Sequence, residues 1–217
     1  MLRWTTTIPC SAKPTKTLLI AVTGGPGAGK SAVLEFARRS FCSHIQELPE
    51  AASIIFGGGF IRKESITAKK AAQRAIFHVQ RELEQLVIDE GDASVALCDR
   101  GTVDGVAYWP NSAESFWKEM GVKSEEEILR YHAVIHLRPP SESDGYNQRT
   151  NVLRIESAHQ AELIDQKIEM AWKDHPRRFF VESTPRFIDK LVESVKILEG
   201  LLPEDCRKSL EQMTKTR

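Results

Sequence analysis

A glycine-rich octapeptide near the N-terminus constrains this chain more than any other feature of its sequence. It reads Gly24-Gly25-Pro26-Gly27-Ala28-Gly29-Lys30-Ser31 and matches the pattern G-x-x-x-x-G-K-[ST]. With glycine at about 7% of residues, a chance match in a chain of this length is on the order of 1%. An apolar run precedes the octapeptide and a helical pattern follows it, so it is typical of a phosphate-binding loop. The alternative is a structural glycine-rich turn.

Each residue type in the octapeptide has a physical role in binding phosphate. Glycines allow the backbone angles that turn amides toward phosphate oxygens. The helix that begins near Lys30 adds its N-terminal amides and their partial positive charge. The Lys30 ammonium group reaches the β- and γ-phosphates, and the Ser31 hydroxyl is a ligand for magnesium. We therefore expect ATP or GTP with Mg²⁺ to be bound by Gly24, Gly25, Pro26, Gly27, Ala28, Gly29, Lys30, Ser31 and Ala32.

Five short apolar runs alternate with helical patterns along the chain. The runs are Leu18–Thr23, His44–Leu48, Ser94–Cys98, Ala133–Leu137 and Phe179–Val181. The first, third and fourth are continuously apolar, as in strands buried on both faces of a parallel sheet. The second is less apolar, which favours a position nearer the edge. This alternation predicts an α/β fold, a three-layer sandwich with helices on both faces of a parallel sheet.

Four helices are predicted around these runs. They cover Ser31–Ser40, Thr67–Ile88, Asn151–Trp172 and Pro185–Leu198. The second has the clearest periodicity, because apolar residues recur at three- and four-residue steps along it. Those residues are Ala68, Ala72, Ile76, Val79, Leu83 and Leu86, and Gly91 provides a stop signal after them.

The length of 217 residues suits one α/β domain with a well-buried core. We expect a flexible leader over residues 1–16 and a single domain over residues 17–217. The segment Pro139–Thr150 is polar and rich in Ser, Pro and Gly, and it lies between the fourth strand and a long helix. Loops of this size inside compact domains are often lids over a functional site, and a lid is expected here.

Charge and cysteine content narrow the class of protein. Lys and Arg together number 30 and balance 30 acidic residues, so no global field favours nucleic acid. No run approaches the roughly 20 apolar residues that span a membrane, and membrane insertion is not expected. The cysteines form no CxxC pair, and the histidines have no partners at metal-ligand spacing. These features predict a reducing, cytoplasmic compartment and no metal site made of His and Cys.

A carboxylate, Asp99, and a guanidinium cation, Arg100, follow directly after the third apolar run. Because ligands collect at the carboxyl ends of parallel strands, Asp99 should enter the same crevice as the phosphate-binding loop. A carboxylate there can hold magnesium or its waters, or accept a proton from an acceptor hydroxyl. The alternative is an aspartate that caps the next helix. Arg100 is a candidate to anchor a substrate phosphate or the acids of the site.

Glu50, which follows the second run, is the rival candidate for the general base. If the second and third strands are neighbours, Glu50 faces the same side of the site as the acceptor. The alternative is that Glu50 lies at the start of a helix, where acidic residues are favoured, and has no catalytic role. Arg138, Arg149 and Arg154 bracket and populate the predicted lid. Guanidinium groups commonly stabilise the charge of a transferring phosphoryl group, and we expect one or two of these arginines to do so.

Aromatic side chains follow the Asp99–Arg100 turn. They are Tyr108, Trp109, Phe116 and Trp117. Core packing is the favoured interpretation, because such residues usually bury their area against neighbours. The alternative is an apolar pocket for an acceptor.

Several segments together resemble the AAA-like ATPase and kinase family related to nicotinamide riboside kinase domains, within the nucleoside and nucleotide kinase group. The matching segments are Thr23–Ser31, Pro49–Ala52, Gln73 with Gln80, Cys98–Asp104, Val134–Leu137, and Arg154–Trp172 followed by His175-Pro176. The resemblance implies a five-stranded parallel sheet in the order 2-3-1-4-5 and a lid after the fourth strand. It also implies a phosphate acceptor bound between Glu50 and Asp99.

Two functions from different classes fit these features. The first is a kinase that transfers the γ-phosphoryl group of ATP to a nucleoside-like or other small metabolite. Its expected catalytic residues are Lys30, Glu50, Asp99, Arg100, Arg149 and Arg154, with Ser31 and Asp99 as magnesium ligands. The second is a nucleotide-gated regulatory module that has no small-molecule acceptor. Two acids and an arginine-bearing lid favour the kinase, and the sequence has no Asn-Lys-x-Asp segment for reading guanine.

Overall fold

A five-stranded parallel sheet forms the centre of the computed structural model, which describes residues 14, 16–140, 158–204, 206 and 207. The strands are β1 (Leu18–Thr23), β2 (Ile45–Leu48), β3 (Val95–Asp99), β4 (Tyr131–Leu137) and β5 (Arg178–Val181). Their order in the sheet is β2-β3-β1-β4-β5, and each neighbouring pair is parallel. The predicted α/β class and the order 2-3-1-4-5 are confirmed.

Helices connect the strands and cover the sheet. They are α1 (Lys30–Ser40), α2 (Ala51–Gly57), α3 (Ile66–Glu90), α4 (Gly105–Tyr108), α5 (Ala113–Met120), α6 (Ser124–Ile128), α7 (described over Ala158–Ala171) and α8 (Phe187–Leu201). A 3₁₀ turn over Thr102–Asp104 follows β3 directly. The apolar pattern had not predicted α2 or the short helices between β3 and β4, which are too short to show a helical period.

The residues of β1 pack alternately into two apolar cores. Ile20 and Val22 face the core that includes α1 and α8, whereas Leu19 and Ala21 face the core that includes α3 and α7. Because successive side chains point to opposite faces of a sheet, a strand is apolar throughout only when both faces are covered. The three-layer arrangement therefore follows from the continuous apolar character of the central strands.

The buried face of α3 differs from the predicted one. Leu86, which belongs to the predicted apolar stripe, is 56% exposed, whereas Glu84 is fully buried. Glu84 accepts hydrogen bonds from Tyr131 Oη at 2.6 Å and from Gln80 Nε2 at 2.9 Å, and it pairs with Arg130 Nη1 at 2.8 Å. Burial raises the pKa of Glu84, and the charge of Arg130 opposes this. Such partners make a buried acid tolerable, which an apolar-period argument does not anticipate.

Several predicted segments lie outside the described residues. These are the leader except for residues 14 and 16, most of the predicted lid, and residues 151–157 of the predicted long helix. Within the described ranges, no helix combines the length and apolar character that crossing a bilayer requires.

Candidate functional site

The phosphate-binding loop joins the C-terminal end of β1 to α1, which begins at Lys30. Gly24, Gly27 and Gly29 have φ angles of 131°, 84° and 91°, a region that L side chains rarely adopt. At Gly24 a Cβ atom would lie 2.0 Å from the carbonyl oxygen of Leu137 at the end of β4. The loop is therefore packed closely against the sheet. It leads directly into the N-terminus of α1, whose amides favour the binding of a phosphate.

The side chain of Lys30 is buried and folds back over the loop. Its Nζ donates hydrogen bonds to the carbonyl oxygens of Gly24 at 3.3 Å and Gly25 at 3.4 Å. Burial, together with the charge of Arg100, lowers the pKa of Lys30 to about 8, and nearby carboxylates led by Asp99 oppose this shift. A bound polyphosphate would supply the counter-charge that favours the ammonium form.

The lowered pKa of Lys30 predicts that nucleotide binding depends on pH. Below a pH of about 8 the ammonium group is already charged, whereas above it a proton must be taken up when the phosphates bind. We expect ATP affinity to fall as the pH rises from about 7.5 to about 9.5, with proton uptake on binding across that range. Calorimetry in buffers that differ in ionisation enthalpy measures both quantities.

The control for this prediction is Lys190→Met. Burial also lowers the pKa of Lys190 to about 8, but its Nζ donates to the carbonyl oxygen of Arg138 rather than to the loop. The variant should keep the pH dependence of ATP binding. Loss of that dependence in Lys190→Met, or its absence in the wild-type protein, contradicts the assignment to Lys30.

Ser31 and Asp99 lie together at the mouth of the loop. Ser31 Oγ donates to Asp99 Oδ2 at 3.5 Å, and Asp99 Oδ1 is buried with no hydrogen-bond partner among the described residues. Burial raises the pKa of Asp99, and the charge of Lys30 opposes this. Hydroxyl and carboxylate oxygens are the ligands that Mg²⁺ prefers, and a buried oxygen without a partner suits a cation or its bound water. These residues therefore fit the predicted magnesium ion.

Arg100, which lines the cavity, forms ion pairs with both Glu50 and Asp104. Its Nε donates to Glu50 Oε1 at 2.8 Å, and its Nη1 donates to Asp104 Oδ2 at 3.1 Å and to the carbonyl oxygen of Gly24 at 3.2 Å. Its φ angle is 73°, and no other described residue except glycine has a positive φ. Its amide donates to the carbonyl oxygen of Val22. A strained backbone of this kind persists where surrounding contacts determine it, and it is common at functional sites.

The pKa values of the two candidate acids, Glu50 and Asp99, are shifted in opposite directions. Burial would raise the pKa of Glu50, but the charges of Arg100 and Lys30 and a hydrogen bond from Ser53 outweigh burial and lower it. The pKa of Asp99 is raised instead. Glu50 therefore stays ionised beside the loop. Titratable groups whose surroundings separate their pKa values are typical of acid–base sites.

Asp104, to which the sequence assigned no role, connects three elements around the site. Its Oδ2 accepts from Thr23 Oγ1 at 2.5 Å as well as from Arg100, and its Oδ1 accepts from Trp172 Nε1 at 2.6 Å. It thereby joins the end of β1, the turn after β3 and the end of α7. Thr23 and Trp172 are 81 and 68 residues away in sequence, so no local pattern marks this aspartate.

Asp165 on α7, also without a predicted role, holds the loop from the other side. Its Oδ1 accepts from the Gly25 amide at 2.6 Å and lies 2.8 Å from His136 Nε2. Its Oδ2 accepts from Arg138 Nη1 at 2.9 Å, and Arg138 also pairs with Glu169 at 2.7 Å. Burial would raise the pKa of Asp165, but His136 and Arg138 lower it. The structure thus places Arg138, a predicted lid arginine, in ion pairs with α7.

Asp165→Asn is expected to destabilise the protein by about 1–3 kcal/mol, because the Gly25 amide, His136 and Arg138 lose their charged hydrogen-bond partner. We also expect weaker ATP binding, since Asp165 orients Gly25 in the loop. Urea unfolding and ATP titration measure these effects. Glu169→Gln is the matched control, because Glu169 is a second acid that pairs with Arg138 and is 35% exposed, so its replacement should cost less than about 1 kcal/mol. Equal effects on ATP affinity in both variants contradict the role of Asp165.

A cavity of about 990 Å³ opens in front of the loop. Lys30, Ser31, Glu50, Asp99 and Arg100 lie on one side of it. The remaining lining combines apolar, cationic, acidic and neutral polar side chains, and it includes Ile61, Arg62, Glu64, Ile66, Lys69, Gln73, Gln80, Asp104, Tyr108, Trp109, Leu163 and Lys167. Cavities of roughly 300–1,000 Å³ are the usual size for small-molecule sites. This cavity is the candidate acceptor site.

The aromatic residues after the Asp99–Arg100 turn divide between the two predicted roles. Phe116 is fully buried and packs with Trp117 in a small core beside α3. Tyr108 and Trp109 line the cavity instead, although Trp109 also packs on Phe116 with ring centroids 5.5 Å apart.

The structure brings most of the predicted site residues to one place. The cavity is lined by Pro26, Gly27, Lys30 and Ser31 of the loop together with Glu50, Asp99 and Arg100, as the register of neighbouring β2, β3 and β1 allows. Arg149 and Arg154, predicted as catalytic, lie outside the described residues.

Comparison with known proteins agrees with this geometry. A family model described as an AAA domain matches residues 19–187, whereas no curated protein matches in sequence. A solved structure of thymidylate kinase from Candida albicans superposes with a TM-score of 0.56 at 14% identity, covering 85% of this chain and 92% of that chain. At this identity the match shows a shared fold. The AAA-like P-loop family predicted from the motifs is confirmed, and the chain belongs to the AAA-domain family with the fold of a P-loop kinase.

Proposed function

We propose that this protein is a magnesium-dependent kinase that transfers the γ-phosphoryl group of ATP to a nucleoside-like or other small acceptor. The observation that carries the proposal is the convergence of Glu50, Asp99 and Arg100 with Lys30 on one side of the cavity beside the loop. A protein that only binds nucleotide has no need of a second acid or of a cavity for a further ligand. The proposed setting is the cytoplasm.

The two acids have separate roles in this proposal. Asp99 lies against Ser31 and has a buried oxygen without a partner, so these two residues hold the magnesium ion or its waters. Magnesium, when bound, neutralises charge on the phosphates. Glu50 is kept ionised by Arg100 and faces the cavity, so it is the proton acceptor.

The proposed reaction balances with the residues at hand. Glu50 accepts the proton of the acceptor hydroxyl as that oxygen bonds to the γ-phosphorus. The bond from the γ-phosphorus to the bridging oxygen breaks, and ADP leaves with that electron pair. Lys30 stabilises the negative charge near the β- and γ-phosphates, and Arg149 and Arg154 are proposed to act on the transferring group. Arg100 orients Glu50 through the 2.8 Å hydrogen bond between them.

An acceptor screen tests the proposal. Purified protein with ATP and magnesium is incubated with nucleosides, nucleotides and vitamin-like alcohols, and ADP release and phosphorylated product are measured. We expect release that depends on one acceptor class and that disappears in Lys30→Ala. Tight ATP or GTP binding with no acceptor effect across the panel would instead support a nucleotide-gated binding module.

A further inference from the structure

A group of sulfur and nitrogen ligands lies at the opposite edge of the fold from the phosphate-binding loop. It consists of Cys42 and His44, which lie between α1 and β2, and Cys206, which follows α8. We call these three residues the thiol–imidazole cluster. Because β2 begins at Ile45, the cluster lies at the N-terminal end of this parallel strand, whereas the loop lies at the C-terminal end of β1.

The geometry of the thiol–imidazole cluster is compact. One ligand atom from each residue lies within 4.8 Å of the other two. Cys42 and Cys206 are 2% and 1% exposed, and His44 is half-buried at the surface. Among the described residues, no other group of three or more His, Cys, Asp or Glu side chains meets this distance.

A polar atom without a partner adds an independent observation. His44 Nδ1 is buried and has no hydrogen-bond partner among the described residues. Buried polar atoms are nearly always paired, so an orphaned nitrogen on an imidazole ring that belongs to this cluster needs an explanation. A cation bound by the cluster provides one, because a neutral imidazole nitrogen is a common metal ligand.

The chemistry of the two sulfur atoms and the imidazole nitrogen indicates which metal ion this cluster binds. Two thiolates and an imidazole suit Zn²⁺, with bond lengths of about 2.3 Å to sulfur and about 2.0–2.1 Å to nitrogen. The sulfur and nitrogen atoms around a tetrahedral ion with such bonds lie roughly 3.5–3.8 Å apart. The observed limit of 4.8 Å is close enough that small side-chain rotations complete the site. Magnesium and calcium prefer oxygen ligands and do not suit it.

We propose that Cys42, His44 and Cys206 bind one Zn²⁺ ion that ties the segment after α8 to the turn between α1 and β2. Binding converts both thiols to thiolates, so two protons pass to solvent, and imidazole binds in its neutral form. A water molecule or a further ligand completes the tetrahedron. The site is independent of the proposed kinase reaction, since none of its residues lines the cavity.

Metal analysis and cobalt substitution of the full chain test this proposal. We expect about one zinc per chain after purification without chelator. Titration of metal-free protein with Co²⁺ should give the visible bands of a tetrahedral ion and a thiolate-to-metal charge-transfer band. Removing a residue that only orients a ligand costs roughly 10–100-fold in affinity, so His44→Asn and Cys206→Ser should weaken zinc binding by at least that factor.

Cys98→Ala is the matched control, because Cys98 is a buried thiol on β3 outside the cluster. It should keep wild-type zinc affinity and the cobalt spectrum. If a variant does not fold, competition between wild-type protein and a chromogenic chelator still measures the affinity. Absence of zinc and of tetrahedral cobalt bands overturns the proposal. A Cys42–Cys206 disulfide that forms in preference to metal binding under reducing conditions also overturns it.

Discussion

Glu50→Gln is expected to lower the rate of acceptor phosphorylation by about 10²–10⁴-fold, the range for loss of a general base. Glutamine keeps the size of the side chain and one oxygen for the hydrogen bond from Arg100, but it cannot take up the acceptor proton. ATP binding should be unchanged, because Glu50 has no contact with the loop backbone among the described hydrogen bonds. Single-turnover kinetics and ATP titration separate the two effects.

Two further variants sharpen this prediction. Asp99→Asn should weaken ATP binding with magnesium present and have little effect without it, because Asp99 is proposed to hold the ion with Ser31. Glu47→Gln is the control: Glu47 lies on β2 near Glu50 but pairs with Arg38 at 3.7 Å, and its replacement should leave turnover unchanged. If Glu50→Gln stays active while Asp99→Asn binds ATP normally and is inactive, the roles of the two acids are exchanged.

The central sheet could be predicted because its signal is local and continuous. β1 and β3 are buried along almost their whole length, so their apolar runs stand out from the surrounding sequence. The phosphate-binding loop could be predicted for a similar reason, since one octapeptide contains all of its residues. The location of Glu50 and Asp99 could be predicted because the C-terminal ends of neighbouring parallel strands lie at the same edge of a sheet.

The remaining parts of the site depend on contacts that no local pattern encodes. Asp165 bonds to Gly25 across 140 residues of sequence, and it sits on a helix whose pattern indicates only packing. Cys206 likewise reaches Cys42 and His44 only through the packing of α8 and the segment after it. Spacing along the sequence predicted no His–Cys metal site, because it considers neighbours in the chain rather than neighbours in space.

Arg100→Ala is expected to destabilise the protein by about 3–5 kcal/mol, the cost of removing one partner from a buried ion pair. Arg100 and Asp104 side chains are 14% and 4% exposed, and Glu50 is 28% exposed. The alanine variant leaves both carboxylates near each other without their shared cation. Denaturant unfolding measures the loss. Arg38→Ala is the control, because Arg38 is half exposed, and its loss should cost less than about 1 kcal/mol.

Arg100→Gly separates the charge of Arg100 from its backbone conformation. Both variants lose the ion pairs, but alanine keeps a Cβ atom at a φ of 73°, whereas glycine adopts this angle without steric cost. A left-handed residue with a side chain costs roughly 1–2 kcal/mol, so Arg100→Gly should be more stable than Arg100→Ala by up to that amount, less the extra entropy of glycine in the unfolded chain. A glycine variant less stable than the alanine variant would mean that the backbone at residue 100 is not strained. Both variants should also lose acceptor turnover, because Glu50 then lacks the guanidinium group that orients it through a hydrogen bond.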